Sequence, residues 1–263
     1  MVIDIHAHLG FINQAPFWAA DAATLERYAQ QAGVDYLCAS SARSLMYDVA
    51  EGNRELAEAL RSTQRLLGYA VVNPVFPGTI GEIAWLEKEE KMRGIKVHPD
   101  YHGYDMKSPR AWAFLSEVAR AAPLMLFHCS CMPGTGFAEA REIIRFAEAH
   151  PQTNIIMAHL AGIYQNSVYP YFPNFEGLER VQEAALPNLF VDTAHHLMYV
   201  YPGVMERVVE LAGTGQLVFG TDVPLQGPMQ IRFAREVIEA LPIPAADREA
   251  ILSGNARKLL KLA

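Results

Sequence analysis

The chain reads as a (β/α)8 barrel. Three observations predict it. Short, near-continuous apolar runs alternate with longer amphipathic stretches, the pattern of a parallel sheet covered by helices. Eight such units fit a barrel of about 250 residues. The 263 residues show no linker, low-complexity stretch or domain-sized shift of composition, so residues 1–263 form one domain. An open doubly wound sheet competes, but no Gly-x-Gly-x-x-Gly or phosphate-loop run follows any strand.

The elements follow in order. Strand one is Val2–His6, and Asp21 offers an N-cap for a helix over Asp21–Gln31. Strand two is Val34–Ser40, with a helix around Glu51–Arg61 after it. Strand three, L-L-G-Y-A-V-V-N-P, ends at Asn73-Pro74. A helix over Ile80–Lys91 leads to strand four, R-G-I-K-V-H-P, ending near His98-Pro99. Ser108 is placed to cap a helix to Ala121. Strand five ends at His128, a helix spans Phe137–Ala149, and strand six ends at His159. A helix over Phe175–Ala185, strand seven ending near Asp192, a helix over Gly203–Ala212 and strand eight ending at Asp222 complete the ring. Helical segments Met229–Ala240 and Ala246–Leu262 close the chain.

Chemistry in a barrel sits at the C-terminal strand ends, and ionisable residues gather there. His6 and His8 leave strand one two residues apart, so they share a face. Alone they are a metal-binding pair or two surface histidines. Lys96 and His98 end strand four, His128 strand five, His159 strand six and Asp222 strand eight.

Composition limits the partners. The net charge of −7 and the lack of a Lys/Arg cluster argue against nucleic acid or an anionic membrane. No apolar run is long enough to span a bilayer. The N-terminus enters the first strand directly, so no signal peptide is expected. Cys38, Cys129 and Cys131 build no disulfide framework and fit a reducing cytoplasm. We read the cysteines next to His128 as packing residues.

The runs D-I-H-A-H-L, G-I-K-V-H-P-D-Y, L-F-H, M-A-H-L-A-G, F-G-T-D-V-P and I-L-S-G-N-A-R-K-L-L span the whole length. Their order resembles the amidohydrolase superfamily. The strand-four and C-terminal runs resemble its amidohydrolase-2 group, which includes aminocarboxymuconate-semialdehyde decarboxylase, related non-oxidative decarboxylases and hydrolases. The resemblance implies that His6, His8, His128 and Asp222 bind one divalent metal, most often zinc. It also implies that His159 polarises the substrate or activates water. In two-metal members a carboxylated strand-four lysine bridges the ions. We prefer a plain Lys96 ammonium holding a substrate carboxylate; a lysine paired to a core carboxylate stays open.

Three imidazoles and a carboxylate leave room on Zn²⁺ for a water, whose pKa falls to about 7. Asp222 could bind the metal and accept that water's proton, and His159 could protonate the group that develops charge. Arg43 could clamp an anionic substrate or face solvent. Tyr101 and His102 are placed to line the mouth with His98, and His195 and His196 follow strand seven. The aromatic loop Tyr169–Phe175 is a lid, a hydrophobic plug or a subunit contact, which leaves a homodimer open.

The main functional expectation is a metal-dependent hydrolase of a small, carboxylated lactone, amide or ester. The alternative is a decarboxylase or hydratase on the same site, and a third reading is a ligand-binding barrel with a vestigial site. TatD-like nucleases share H-x-H but carry a glutamate where Lys96 and His98 stand. Metal-free lactonases of the group are a further alternative.

Overall fold

The computed structural model describes residues 1–11, 19–130, 136–163, 173–194, 201–224 and 227–262. Parallel strands follow one another around a barrel: β1 (Ile3–Phe11), β2 (Tyr36–Ser41), β3 (Leu66–Val71), β4 (Met92–Val97), β5 (Leu124–Phe127), β6 (Asn154–Met157), β7 (Leu189–Asp192) and β8 (Leu217–Val218). The ring closes at the seam between β1 and the segment after β8. There Ile5 N–H donates to Phe219 O at 2.9 Å, His8 N–H to Val223 O at 2.8 Å and Asp222 N–H to His6 O at 2.8 Å. A two-residue strand, Ala19–Ala20, pairs antiparallel with the end of β1. The barrel is the predicted one. No described helix is long and apolar enough to cross a membrane.

Side chains alternate along each strand between two apolar layers. Leu37, Ile95, Met125 and Ile155 pack with the helices, while Leu67, Leu124, Leu126 and Ile156 fill the interior. Lys96 stands between Ile95 and Val97, which both join the outer layer, so the pleat turns its side chain inward. In β1 the alternation breaks. Ile3 and Ile5 belong to the inner layer, but Ala7 and Leu9 belong to the outer one. A register shift between Asp4 and Ala7 makes the switch, and such a bulge re-aims the residues beyond it. His6 and His8 therefore both face the interior. Asp4 supports the bulge: its Oδ1 accepts from His6 N–H and from Thr221 N–H, each at 3.1 Å.

Three helical expectations are corrected. The Ile80–Lys91 segment is a 3-10 turn over Pro77–Ala84 followed by a short α-helix, Trp85–Lys88. Pro77, Gly78 and Gly81 deprive it of helix-forming residues. The Ser108 side chain makes no capping bond; Pro109 starts that helix, where its missing N–H costs nothing. The closing segment divides into Ala245–Glu249, a π-turn at Ala250–Gly254 and Asn255–Leu259. Ile251 O accepts from Phe219 N–H at 3.0 Å, which draws that carbonyl out of the helical ladder. Asp21 caps its helix as expected, through Thr24 N–H at 2.8 Å.

Candidate metal centre

The β1–β8 seam contributes His6, His8 and Asp222. His6 Nδ1 lies 2.8 Å from Asp192 Oδ2, and His6 Nε2 lies 2.8 Å from Lys96 Nζ. A carboxylate on one nitrogen and an ammonium on the other assign a neutral ring with its proton on Nδ1. Burial, helped by the Lys96 charge, pushes the His6 imidazole down to about 4. His8 Nδ1 meets Ser40 Oγ at 3.0 Å, and its Nε2 lies 3.0 Å from Asp222 Oδ1. Asp222 itself has φ +61°, a left-handed conformation that aspartate tolerates better than most residues. Burial pushes its carboxyl up, but the His6 and His8 imidazoles outweigh that and hold it well below the usual range.

The other side is built from turns. Helix α1, Pro99–His102, follows β4 directly. The His98 ring is stacked between Tyr101 and His128, with centroids 3.9 Å away in both cases and rings within 10° of parallel. His128 Nε2 lies 2.8 Å from Asp100 Oδ2, and its Nδ1 lies 3.1 Å from His159 Nε2. His159 opens a turn through Gly162 in which every residue has positive φ, from 50° at Leu160 to 80° at Gly162. Left-handed backbone costs about 1–2 kcal/mol per non-glycine residue, so contacts must impose it. Asp192 Oδ1 accepts from His159 N–H at 2.8 Å. On the far side, Gly177 is pressed so closely to this turn that a Cβ there would stand 2.0 Å from Ala161 O.

These residues fit a divalent ion. His6, His159 and Asp222 each offer a ligand atom, all within 4.8 Å of one another. Asp222 Oδ1 is buried and takes no well-directed hydrogen bond, despite the imidazole nitrogen at 3.0 Å. Three imidazoles are anchored through one nitrogen, to Asp192, Ser40 and Asp100, leaving the other turned toward the cluster. Metal-binding histidines are commonly held this way. The Lys96 ammonium faces the same His6 nitrogen, so an ion and the ammonium compete for it.

Sequence reasoning named most of these residues but not their arrangement. His159 joins the tightest cluster, while His8 touches it through Asp222 and His128 through His159. His98 is buried by stacking rather than open to the mouth. Tyr101 is exposed and lines a cleft of about 380 Å³ with Phe76 and Asn73. Arg43 is half-exposed and pairs with Glu51 at 3.0 Å. Cys131, His195, His196 and residues 169–172 of the aromatic loop lie outside the described residues. Asp100, Asp192 and Ser40 were missed as partners. The signal for Asp192 was present, since it closes a strand-like run in the sequence as the candidate ligands do.

The amidohydrolase family model matches residues 3–262, so the chain belongs to that family. A search of curated protein sequences finds no match. Similar solved structures include a 2,6-dihydroxybenzoate decarboxylase from Rhizobium, 17% identical, with a TM-score of 0.71 over 99% of this chain and 98% of that one. A 5-carboxyvanillate decarboxylase from Sphingomonas paucimobilis is 14% identical, with a TM-score of 0.70 over 100% and 99%. A dihydroxybenzoic acid decarboxylase from Polaromonas sp. JS666, solved with manganese and 2-nitroresorcinol, is 17% identical, with a TM-score of 0.71 over 99% and 97%. These likenesses establish the shared fold.

Proposed function

We propose that this protein is a metal-dependent enzyme that removes the carboxylate of a small, anionic, aromatic or unsaturated acid as CO₂. One observation carries the reading: a buried lysine, Lys96, places its Nζ 2.8 Å from His6 Nε2, at the edge of the His6–His159–Asp222 cluster. A buried ammonium there is a ready partner for a substrate carboxylate. The decarboxylases among proteins of the same fold support that choice over hydrolysis.

Following the family resemblance, His6, His8, His128 and Asp222 would hold the ion, and the N-rich donor set suits Zn²⁺. The manganese in the Polaromonas relative makes Mn²⁺ the competitor. When bound, such an ion polarises a substrate oxygen or acidifies a water. Lys96 anchors the carboxylate, and Tyr101, stacked on His98, is the proposed contact for the rest of the molecule. As the C–C bond breaks, the carbon keeps the electron pair and takes a proton delivered by His159, and the carboxylate leaves as CO₂. Hydrolysis of a lactone, amide or ester is the second reading. It is favoured by Asp222 Oδ1, a buried acceptor with no directed partner that can take a proton from water.

The test uses protein loaded with Zn²⁺ or Mn²⁺ and a panel of 2,6-dihydroxybenzoate, 5-carboxyvanillate and carboxylated lactones. CO₂ release without ring opening supports the proposal; lactone hydrolysis without CO₂ overturns it.

A further inference from the structure

His128 is gripped from two directions by one short piece of chain, H-P-D-Y at 98–101. The His98 ring covers its face, and the Asp100 carboxylate meets its edge. Asp100 is itself held in place. Ser130 Oγ donates to it at 2.9–3.0 Å, and Phe137 N–H donates to its Oδ1 at 3.2 Å. Two donors thus converge on the Asp100 oxygens, the surroundings of an ionised carboxylate. An ionised carboxylate can only accept hydrogen bonds. The imidazole nitrogen facing it must therefore carry the proton.

We propose that Asp100 is a positioning residue that locks His128 with its proton on Nε2 and its Nδ1 lone pair facing the metal centre. Asp100 stands outside the His6–His159–Asp222 cluster and acts through His128. The consequence for ion binding rests on the metal-centre reading above, whereas the tautomer does not. His98 has a matching part. With both faces covered and Nδ1 accepting from Tyr101 N–H at 3.2 Å, it serves as a platform for His128.

Asp100→Asn tests the lock because an amide has one acceptor and one donor end. The Phe137 N–H is a fixed donor and claims the amide oxygen. The amide NH₂ then faces His128 Nε2 and drives the proton to Nδ1, closing the lone pair toward the centre. The same carboxylate-to-amide change gives the wrong tautomer in serine protease triads.

Long-range ¹H–¹⁵N NMR of metal-free, ¹⁵N-histidine-labelled protein reads the tautomer directly, with His128 assigned from His128→Gln. Calorimetry with Zn²⁺ reads ion affinity. The expected result is Nε2–H in the wild type, Nδ1–H in Asp100→Asn and a loss of Zn²⁺ affinity of about 10–100-fold. Ser130→Ala keeps the carboxylate and should keep the wild-type tautomer, with affinity changed less than about threefold. An Nδ1–H signal in the wild type overturns the proposal, as does an unchanged tautomer in Asp100→Asn. Equal effects from Ser130→Ala and Asp100→Asn also overturn it, because they mark general disturbance of the loop. A wild type that binds neither Zn²⁺ nor Mn²⁺ in the same calorimetry overturns the metal reading and leaves the tautomer result standing.

Discussion

The two sides of the candidate centre are built by different means. At the β1–β8 seam, His6, His8 and Asp222 sit on a closed hydrogen-bonded ladder, and a single bulge sets which way they face. At the β5–β6 side, His128 and His159 stand just past the strand ends. A one-turn helix holds the first, and a strained left-handed turn carries the second. Strand geometry is cheap and periodic. The turn geometry exists only because separate pieces of chain, Asp100, Asp192 and Gly177, force it. The first side should therefore fail through loss of donors, and the second through small displacements.

The largest effect is expected at the seam. Asp222→Ala removes the buried carboxylate that His6 and His8 surround. Metal content by elemental analysis should fall to near zero, and kcat/KM should drop by at least about 10³-fold. Across the centre, His128→Ala should likewise remove both ion and turnover. His159→Ala should retain the ion while lowering kcat by about 10²–10⁴-fold. Should His159→Ala lose the ion as well, the His6–His159–Asp222 cluster is itself the ligand set.

Displacement alone is isolated by Gly177→Ala, which alters no polar group. Its Cβ would meet Ala161 O at 2.0 Å, so the left-handed turn must move. A shift of about 1 Å at His159 is expected to cost about 10²-fold in kcat, with Zn²⁺ affinity retained. An activity within twofold of wild type would show that the turn tolerates the crowding. Lys96→Met addresses the seam without touching a ligand. KM for a carboxylated substrate should rise about 10–100-fold, the worth of a charged hydrogen bond. Ion affinity should not fall, because the ammonium competes for His6 Nε2.

The smallest effect concerns pH. Burial pushes the His102 imidazole down to about 4, below its ordinary 6.5. Between those values the unfolded chain binds the proton and the folded one does not. Stability should thus fall as pH drops from about 6.5 to 4, by at most about 3 kcal/mol from this group. His102→Phe should flatten that part of the acid unfolding curve, measured by thermal melts of metal-free protein. Asp4 works in the opposite sense. Burial raises its carboxyl to about 7, so its contribution declines as pH rises from about 4 to 7.

Much of this was legible in the linear chain. Apolar runs and amphipathic stretches marked the barrel because periodicity is local, and the polar strand ends marked its active rim. His6 and His8 were correctly placed on one face, although period-2 alternation alone would have put Ile5 on the opposite face. The bulge that brings Ile5 and both histidines inside depends on Asp4 and Thr221, far apart in sequence. Asp100, Asp192 and Ser40 could not be matched to their histidines for the same reason. Each pairing joins separate elements of the chain, as in Asp192 with His6 across 186 residues.

Residue order by itself determined the alternation of strands and helices, and with it the end of the barrel where charge would gather. Those features follow from side-chain polarity repeating with the backbone's own period. Tertiary structure alone decided which nitrogen of each imidazole faces the centre, that His98 braces His128, and that His159 turns inward on a left-handed backbone. A tautomer or a positive φ is set by the partner on the other side. That partner is a neighbour only once the ring has closed.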